Sequence, residues 1–123
     1  MFFNEDIDED CELQQLNLES NNITDGSMGN FFVNLANMNE LMVLNLSKNC
    51  LGNAAAQKLK QFFLEDSTLS ELYLHWCELG TKATKTIFEG LTKNYGLRVL
   101  DLSWNQIGMD GIPAFVKCNK IVS

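Results

Sequence analysis

A strict 28-residue period constrains this chain more than any other feature. Four segments begin at Leu13, Leu41, Leu69 and Leu97, with no insertion between them. Each carries leucine at positions 1, 4 and 6, asparagine or cysteine at position 9, and leucine or isoleucine at position 11. A unit this short cannot bury its own apolar face, so it has to stack on copies of itself. The period therefore predicts a one-dimensional solenoid in which each unit serves as its neighbour's core.

The local pattern predicts one strand and one helix per unit. Leucines at positions 1, 4 and 6 point inward from a short strand, and the side chains between them face out. Inward-facing residues, nearly all apolar, return at helical spacing at position 16 (Met28, Ala56, Thr84, Ile112), position 19 (Phe31, Leu59, Ile87, Phe115) and position 23 (Leu35, Phe63, Leu91). Asp25, Asn53 and Thr81 at position 13 are good helix N-caps. In the fourth unit Met109 holds that position, so Asp110 is expected to cap and Pro113 falls in the first helical turn. Asn119, where an apolar residue is due, predicts a weak last helix. Position 9 (Asn21, Asn49, Cys77, Asn105) is expected to bond the backbone of its turn from a buried site.

These patterns divide the chain into an acidic segment, 1–12, and four repeats at 13–40, 41–68, 69–96 and 97–123. Phe3 and Ile7 fit positions 19 and 23 of a preceding register, which predicts a partial capping helix. No polar capping unit follows the fourth repeat. A solenoid normally needs one, so self-association, cover by a neighbouring subunit, or continuation into a longer repeat protein is expected.

Charge narrows the partner class. Of the sixteen acids and nine bases, residues 1–12 hold six acids and no base, which leaves the repeats with ten acids against nine bases. Phosphate binding needs a basic stripe, so nucleic acid is disfavoured. No apolar run reaches 18 residues, and the start Met-Phe-Phe-Asn lacks a basic leader region, so an intracellular, cytoplasmic protein with no transmembrane helix is expected, with the cilium or cytoskeleton as alternative settings. Cys11, Cys50, Cys77 and Cys118 form no C-x-x-C pair and His75 is the one histidine. Free thiols, with no metal and no cofactor, are the expectation.

Together with Gly52, Gly80 and Gly108 after position 11, the template resembles the ribonuclease-inhibitor-like leucine-rich repeats over residues 13–118. The resemblance implies an α/β fold: a right-handed βα solenoid, a horseshoe segment with an inner parallel sheet and outer helices. Members of that family include ribonuclease inhibitor, NOD-like receptors, the GTPase-activating protein of Ran, and proteins of cilia and cytoskeleton. This chain lacks the nucleotide-binding G-x-x-x-x-G-K-[S/T] of the receptors. It also has fewer repeats and cysteines than ribonuclease inhibitor, and its acidic run lies at the other end from that of the Ran activator.

Fold and function are separate questions, and the outward positions carry the functional reading. Position 5 holds Asn17, Asn45, Tyr73 and Asp101; position 7 holds Glu19, Ser47, His75 and Ser103; position 8 holds Ser20, Lys48, Trp76 and Trp104. With strands about 4.8 Å apart, Trp76 and Trp104 are expected as neighbours on the inner strand face, with Lys48 next along the row. Tyrosine and tryptophan are frequent interface anchors. Tyr73, His75, Trp76, Asp101, Trp104 and Lys48 are therefore the expected partner-binding residues. His75 with Ser47, Ser103 and Asp101 has the residue types of a hydrolase, but an open face offers no water-excluding pocket. Lys82, Lys85, Lys93, Lys117 and Lys120 are expected on a solvated helix face. The function expected is a non-enzymatic interaction module or scaffold subunit binding a protein. The alternative is a small-GTPase regulator, which acceleration of GTP hydrolysis would reveal.

Overall fold

The computed structural model of the chain describes residues 13–35, 38, 40–65, 68–94, 96–107 and 121–122. The acidic segment, Cys11, Cys118, Lys117, Lys120 and the fourth-helix residues Met109, Asp110, Pro113 and Asn119 lie outside the described residues.

Among the described residues, five short parallel strands run in chain order: β1 (Gln15–Asn17), β2 (Val43–Asn45), β3 (Glu71–Tyr73), β4 (Val99–Asp101) and β5 (Ile121–Val122). Between them lie α1 (Met28–Leu35), entered by a 3-10 turn at Asp25–Ser27, then α2 (Asn53–Glu65) and α3 (Thr81–Leu91). The register is that of the period. Leu16 pairs with Leu44, Leu44 with Leu72 and Leu72 with Leu100, so the leucine at position 4 recurs along one row. This is a βα solenoid, the α/β architecture the period demands.

The core is the sum of the recurring positions. Leu44, Leu72 and Leu100, then Leu46, Leu74 and Leu102, are buried from the sheet side. Met28, Ala56 and Thr84, then Phe31, Leu59 and Ile87, then Leu35, Phe63 and Leu91 meet them from the helices. Position 15 adds Ala55 and Ala83, which the sequence pattern did not single out. Phe62 and Phe88 also join the core, and Phe31, Phe32, Phe62 and Phe63 form a chain of ring contacts 5.3–5.9 Å apart. Leu13, expected inward at position 1, is 40% exposed, and Ile107 at position 11 is 39% exposed. Each lies at an end of the main described stack, with a full described unit on one side of it only.

Three expectations need correction. Thr24 and Gly80, at position 12, are the N-caps, and neither makes a side-chain capping bond. Asp25, Asn53 and Thr81 are instead the first residues inside their elements. Asp25 does cap a helix, but it is the next unit's: its Oδ1 accepts from Gly52 N at 2.7 Å and Ala55 N at 3.3 Å, at the start of α2. A carboxylate there faces both unpaired amides and the positive end of the helix. The third correction concerns the last edge. β4 was expected to end the sheet, yet Val99 pairs with Ile121 and Leu100 with Val122, a step of 22 residues rather than 28.

Helices α2 and α3 approach closely at Gly90. A Cβ on Gly90 would lie 2.8 Å from Lys60 Cα and 3.0 Å from its carbonyl oxygen, both backbone atoms that cannot swing aside. The Lys60–Glu89 ion pair beside it, at 3.0 Å, is solvent-exposed and adds little. Gly90→Ala should therefore destabilise the protein by about 1–3 kcal/mol through overpacking. Gly29, whose added Cβ meets nothing within 4 Å, is the control. Gly29→Ala in α1 should be neutral or stabilising by up to about 1 kcal/mol. Calorimetric unfolding of the two variants checks the opposite signs.

Candidate functional site

The strands stop at position 5, and each runs on into a turn whose geometry repeats. Ser20, Lys48, Trp76 and Trp104, all at position 8, have φ of 59°, 57°, 55° and 59°. This is left-handed backbone, which disfavours a side chain with a Cβ by roughly 1–2 kcal/mol per residue. The turn is held there from two sides. The N–H groups of Ser20, Lys48 and Trp76 donate to the carbonyls of Ser47, His75 and Ser103 in the following unit, at 2.9–3.1 Å. The position-9 side chain then fastens the interior of the turn.

Asn49 shows how. Its Oδ1 accepts from Asn21 N at 3.0 Å and Ile23 N at 2.9 Å, in the preceding unit's turn. Its Nδ2 lies within 3.2 Å of the carbonyls of Leu18, Leu46 and Ser47. Asn105 repeats the arrangement on Cys77 N, Leu79 N and the carbonyls of Leu74, Leu102 and Ser103. Each asparagine thus pins the turn of the unit before it as well as its own, and Asn105 pins the turn that carries Trp76. Cys77 substitutes in part. Its buried thiol donates to Leu46 O at 3.2 Å. Burial pushes the Cys77 thiol up to about 11, so it stays a neutral donor.

The turns direct position 8 away from the core. Trp76 is 58% exposed and Trp104 77% exposed, and their rings stack with centroids 5.8 Å apart at an interplanar angle of 25°. The expected neighbours do meet, but in the turn beyond the strands and not on the strand face. Lys48 is the next residue of the row. On the side of Trp76 away from Trp104 an open groove of about 600 Å³ is lined by Asn22, Thr24, Lys48, Cys50, Trp76 and Glu78. Glu78 and Asn22, at position 10, also have positive φ, 60° and 57°. Sequence reasoning missed both, because the template leaves position 10 open; only their polarity at an unrestrained site hinted at exposure.

The remaining expected site residues lie on the helix-free face of the sheet, engaged with one another. Tyr73 Oη donates to Glu71 Oε1, which raises the phenol's pKa. His75 lies with Nε2 3.2 Å from Glu19 Oε1 and Nδ1 3.7 Å from Asp101 Oδ2. It reaches Glu19, two units away, across Ser47. Ser47 was expected outward but is buried, and its Oγ accepts from His75 N at 3.0 Å. Ser103 Oγ donates to Asp101 Oδ1 at 2.6 Å. Neither serine hydroxyl is bonded to the imidazole, so these residue types do not line up as nucleophile and base. Among the described residues no three His, Cys, Asp or Glu side chains are grouped to hold a metal ion, and no helix is long and apolar enough to cross a membrane. Cys50 and Cys77 are free thiols.

The leucine-rich-repeat profile, described as "Leucine Rich repeat", matches residues 10–31, 38–60 and 97–116, more than half of the chain. The chain belongs to the leucine-rich-repeat family. Its repeats are of the ribonuclease-inhibitor-like type. Mouse ribonuclease inhibitor is 32% identical over 103 residues, 83% of this chain and 23% of that protein. The pig ribonuclease inhibitor gives the same identity and coverage. The mouse NACHT, LRR and PYD domains-containing protein 5 is 33% identical over 84% of this chain and 9% of its own length. The chain thus spans about a quarter or less of the curated relatives it matches. Among solved structures, leiomodin-1 actin-binding site 2 superposes with a TM-score of 0.77 at 20% identity, covering 89% of this chain and 65% of that one. That likeness is one of fold. The unit containing Cys77 lies outside the stretches matched by the repeat profile, yet its strand pairs in the same register as the others.

The position-9 bonds set an order of damage. Asn49→Leu and Asn105→Leu leave turn amides and carbonyls unpaired, at about 1–3 kcal/mol per buried orphan. Cys77→Ala removes one weak donor and should destabilise least. Calorimetry ranks the three, and Asn105→Leu should in addition weaken the near-ultraviolet circular dichroism of the Trp76–Trp104 stack. A second test uses alkali. Below the thiol's ordinary pKa of 9.0, Cys77 is neutral folded or unfolded. Between that value and about 11 the unfolded chain ionises while the folded one keeps its proton. Stability is therefore lost as pH rises through this window, by up to about 3 kcal/mol. Cys77→Ala lacks this loss, so denaturation midpoints of the two proteins should converge between pH 9 and 11.

Proposed function

We propose that this chain is a non-enzymatic protein-binding module of a larger assembly, and that Trp76 and Trp104 anchor its partner. The observation that carries the reading is the exposed indole stack on left-handed backbone. Nothing in the core needs a large ring at position 8, and the backbone conformation there disfavours one. Asparagine or glycine would suit the turn better. Exposed tryptophan is the side chain most typical of hot spots at partner interfaces. Lys48 and the half-buried face of Tyr73, His75 and Asp101 extend the surface to its sides. A binding role also agrees with relatives named for inhibiting ribonuclease, and a cytoplasmic setting is part of the proposal.

The test separates binding from folding. Cross-linking and mass spectrometry on the native assembly identify the partner, whose affinity is then measured against purified variants. Trp104→Asn should lose about 2 kcal/mol of binding, roughly thirtyfold in Kd. Its unfolding temperature should hold or rise, because asparagine tolerates left-handed backbone. If Trp76→Asn and Trp104→Asn both bind the partner as the parent does, the stack is not an anchor and the proposal fails.

A further inference from the structure

The groove beside Trp76 has a chemistry more specific than a general docking surface. Trp104 covers one side of the Trp76 indole, and the groove lies on the other. Its lining holds one carboxylate, Glu78, and one ammonium, Lys48. The nearby Glu78 carboxylate raises the Cys50 thiol's pKa, and Asp25 adds a second negative charge felt at the same thiol. Both side chains are exposed, and Lys48 carries its charge at the end of a flexible stem. Asn22 and Thr24 add neutral oxygen acceptors. An aromatic face, a carboxylate and amide and hydroxyl acceptors together suit a planar cation with many donors.

We propose that this groove receives an arginine side chain of the partner protein, its guanidinium laid on the Trp76 indole and paired with Glu78. The inference rests on the partner-binding reading above and names what that partner presents. Guanidinium stacks on aromatic faces and forks onto a carboxylate, while an ammonium does neither as well. An anionic group would meet Lys48 but would be repelled by Glu78 and Asp25 and gain nothing from the indole face.

The two opposite charges make the sign of the effect readable. The probe is the peptide Gly-Ser-Arg-Ser-Gly, with versions carrying lysine or the neutral isostere citrulline in place of arginine. Binding is followed on the indole Nε1–H resonances of the full chain, assigned with Trp76→Leu and Trp104→Asn. The arginine peptide should shift the Trp76 resonance saturably. The lysine peptide should bind at least threefold more weakly, and the citrulline peptide should leave the resonance in place. Glu78→Gln should weaken arginine-peptide binding at least fivefold, and Lys48→Gln should tighten it about twofold. Both variants are exposed and should unfold at the parent's temperature.

Equal binding of the citrulline peptide, no shift with arginine, or reversed signs for Glu78→Gln and Lys48→Gln would overturn the proposal; reversed signs would mean an anion site. If the peptide fails while Trp76 and Trp104 variants still lose the native partner, only the arginine assignment falls. If those variants keep the partner, both readings fall.

Discussion

The turn after each strand contains amides and carbonyls that its own unit cannot pair. The side chain at position 9 of the next unit pairs them. Asn49 does so for the turn at residues 18–23, and Asn105 for the turn at residues 74–79. Leaving such groups buried and unpaired would undo much of what the leucines contribute, since net stability is a small difference between large terms. The fold is therefore built from leucine rows that supply apolar area and a polar ladder that makes that area usable. Cys77 supplies a donor to Leu46 O but lacks the amide oxygen. In its place Leu51 N donates to the backbone carbonyl of Cys77.

The same ladder explains where a binding surface can form. It clamps each turn in a conformation that turns position 8 outward, independent of which residue stands there. The helix-free face of the sheet is different: its charges are already engaged in Tyr73–Glu71, His75–Glu19, His75–Asp101 and Ser103–Asp101 contacts. A partner binding there has to exchange those contacts for its own. The stacked indoles make no such demand, because each ring is held in place by the other, and that order would lower the penalty of an association.

Much of the fold was legible because the period is exact. The row Leu16, Leu44, Leu72 and Leu100 comes from counting, and so do the buried helix positions. Contacts between units were not legible. Asp25 looked like a cap for its own helix because local spacing is all that a sequence window shows; its amide partners are 27 and 30 residues away. Gly90 looked ordinary until Lys60 of the neighbouring helix was placed against it. For the site, the neighbouring tryptophans could be read from strand spacing. Their left-handed backbone could not, since a bulky residue at position 8 argues against it. Glu78 and the groove arise only when three turns are stacked. β5 broke the count, because its 22-residue step departs from the template.

The hydrogen bonds between units run both ways along the stack. Asn49 reaches back to the first turn, while Asp25 reaches forward to the start of α2. A unit that opens by itself thus strips partners from polar groups on either side: the amides of α2 lose a carboxylate, or the first turn loses its asparagine. The boundary between an opened and a closed unit is then high in free energy, and intermediates with one unit melted are sparsely populated. Protection against amide hydrogen exchange should follow from this as a property of adjacent units together, and not of each repeat by itself. In that respect a stack whose apolar area is local and additive acquires its cooperativity from a few polar side chains.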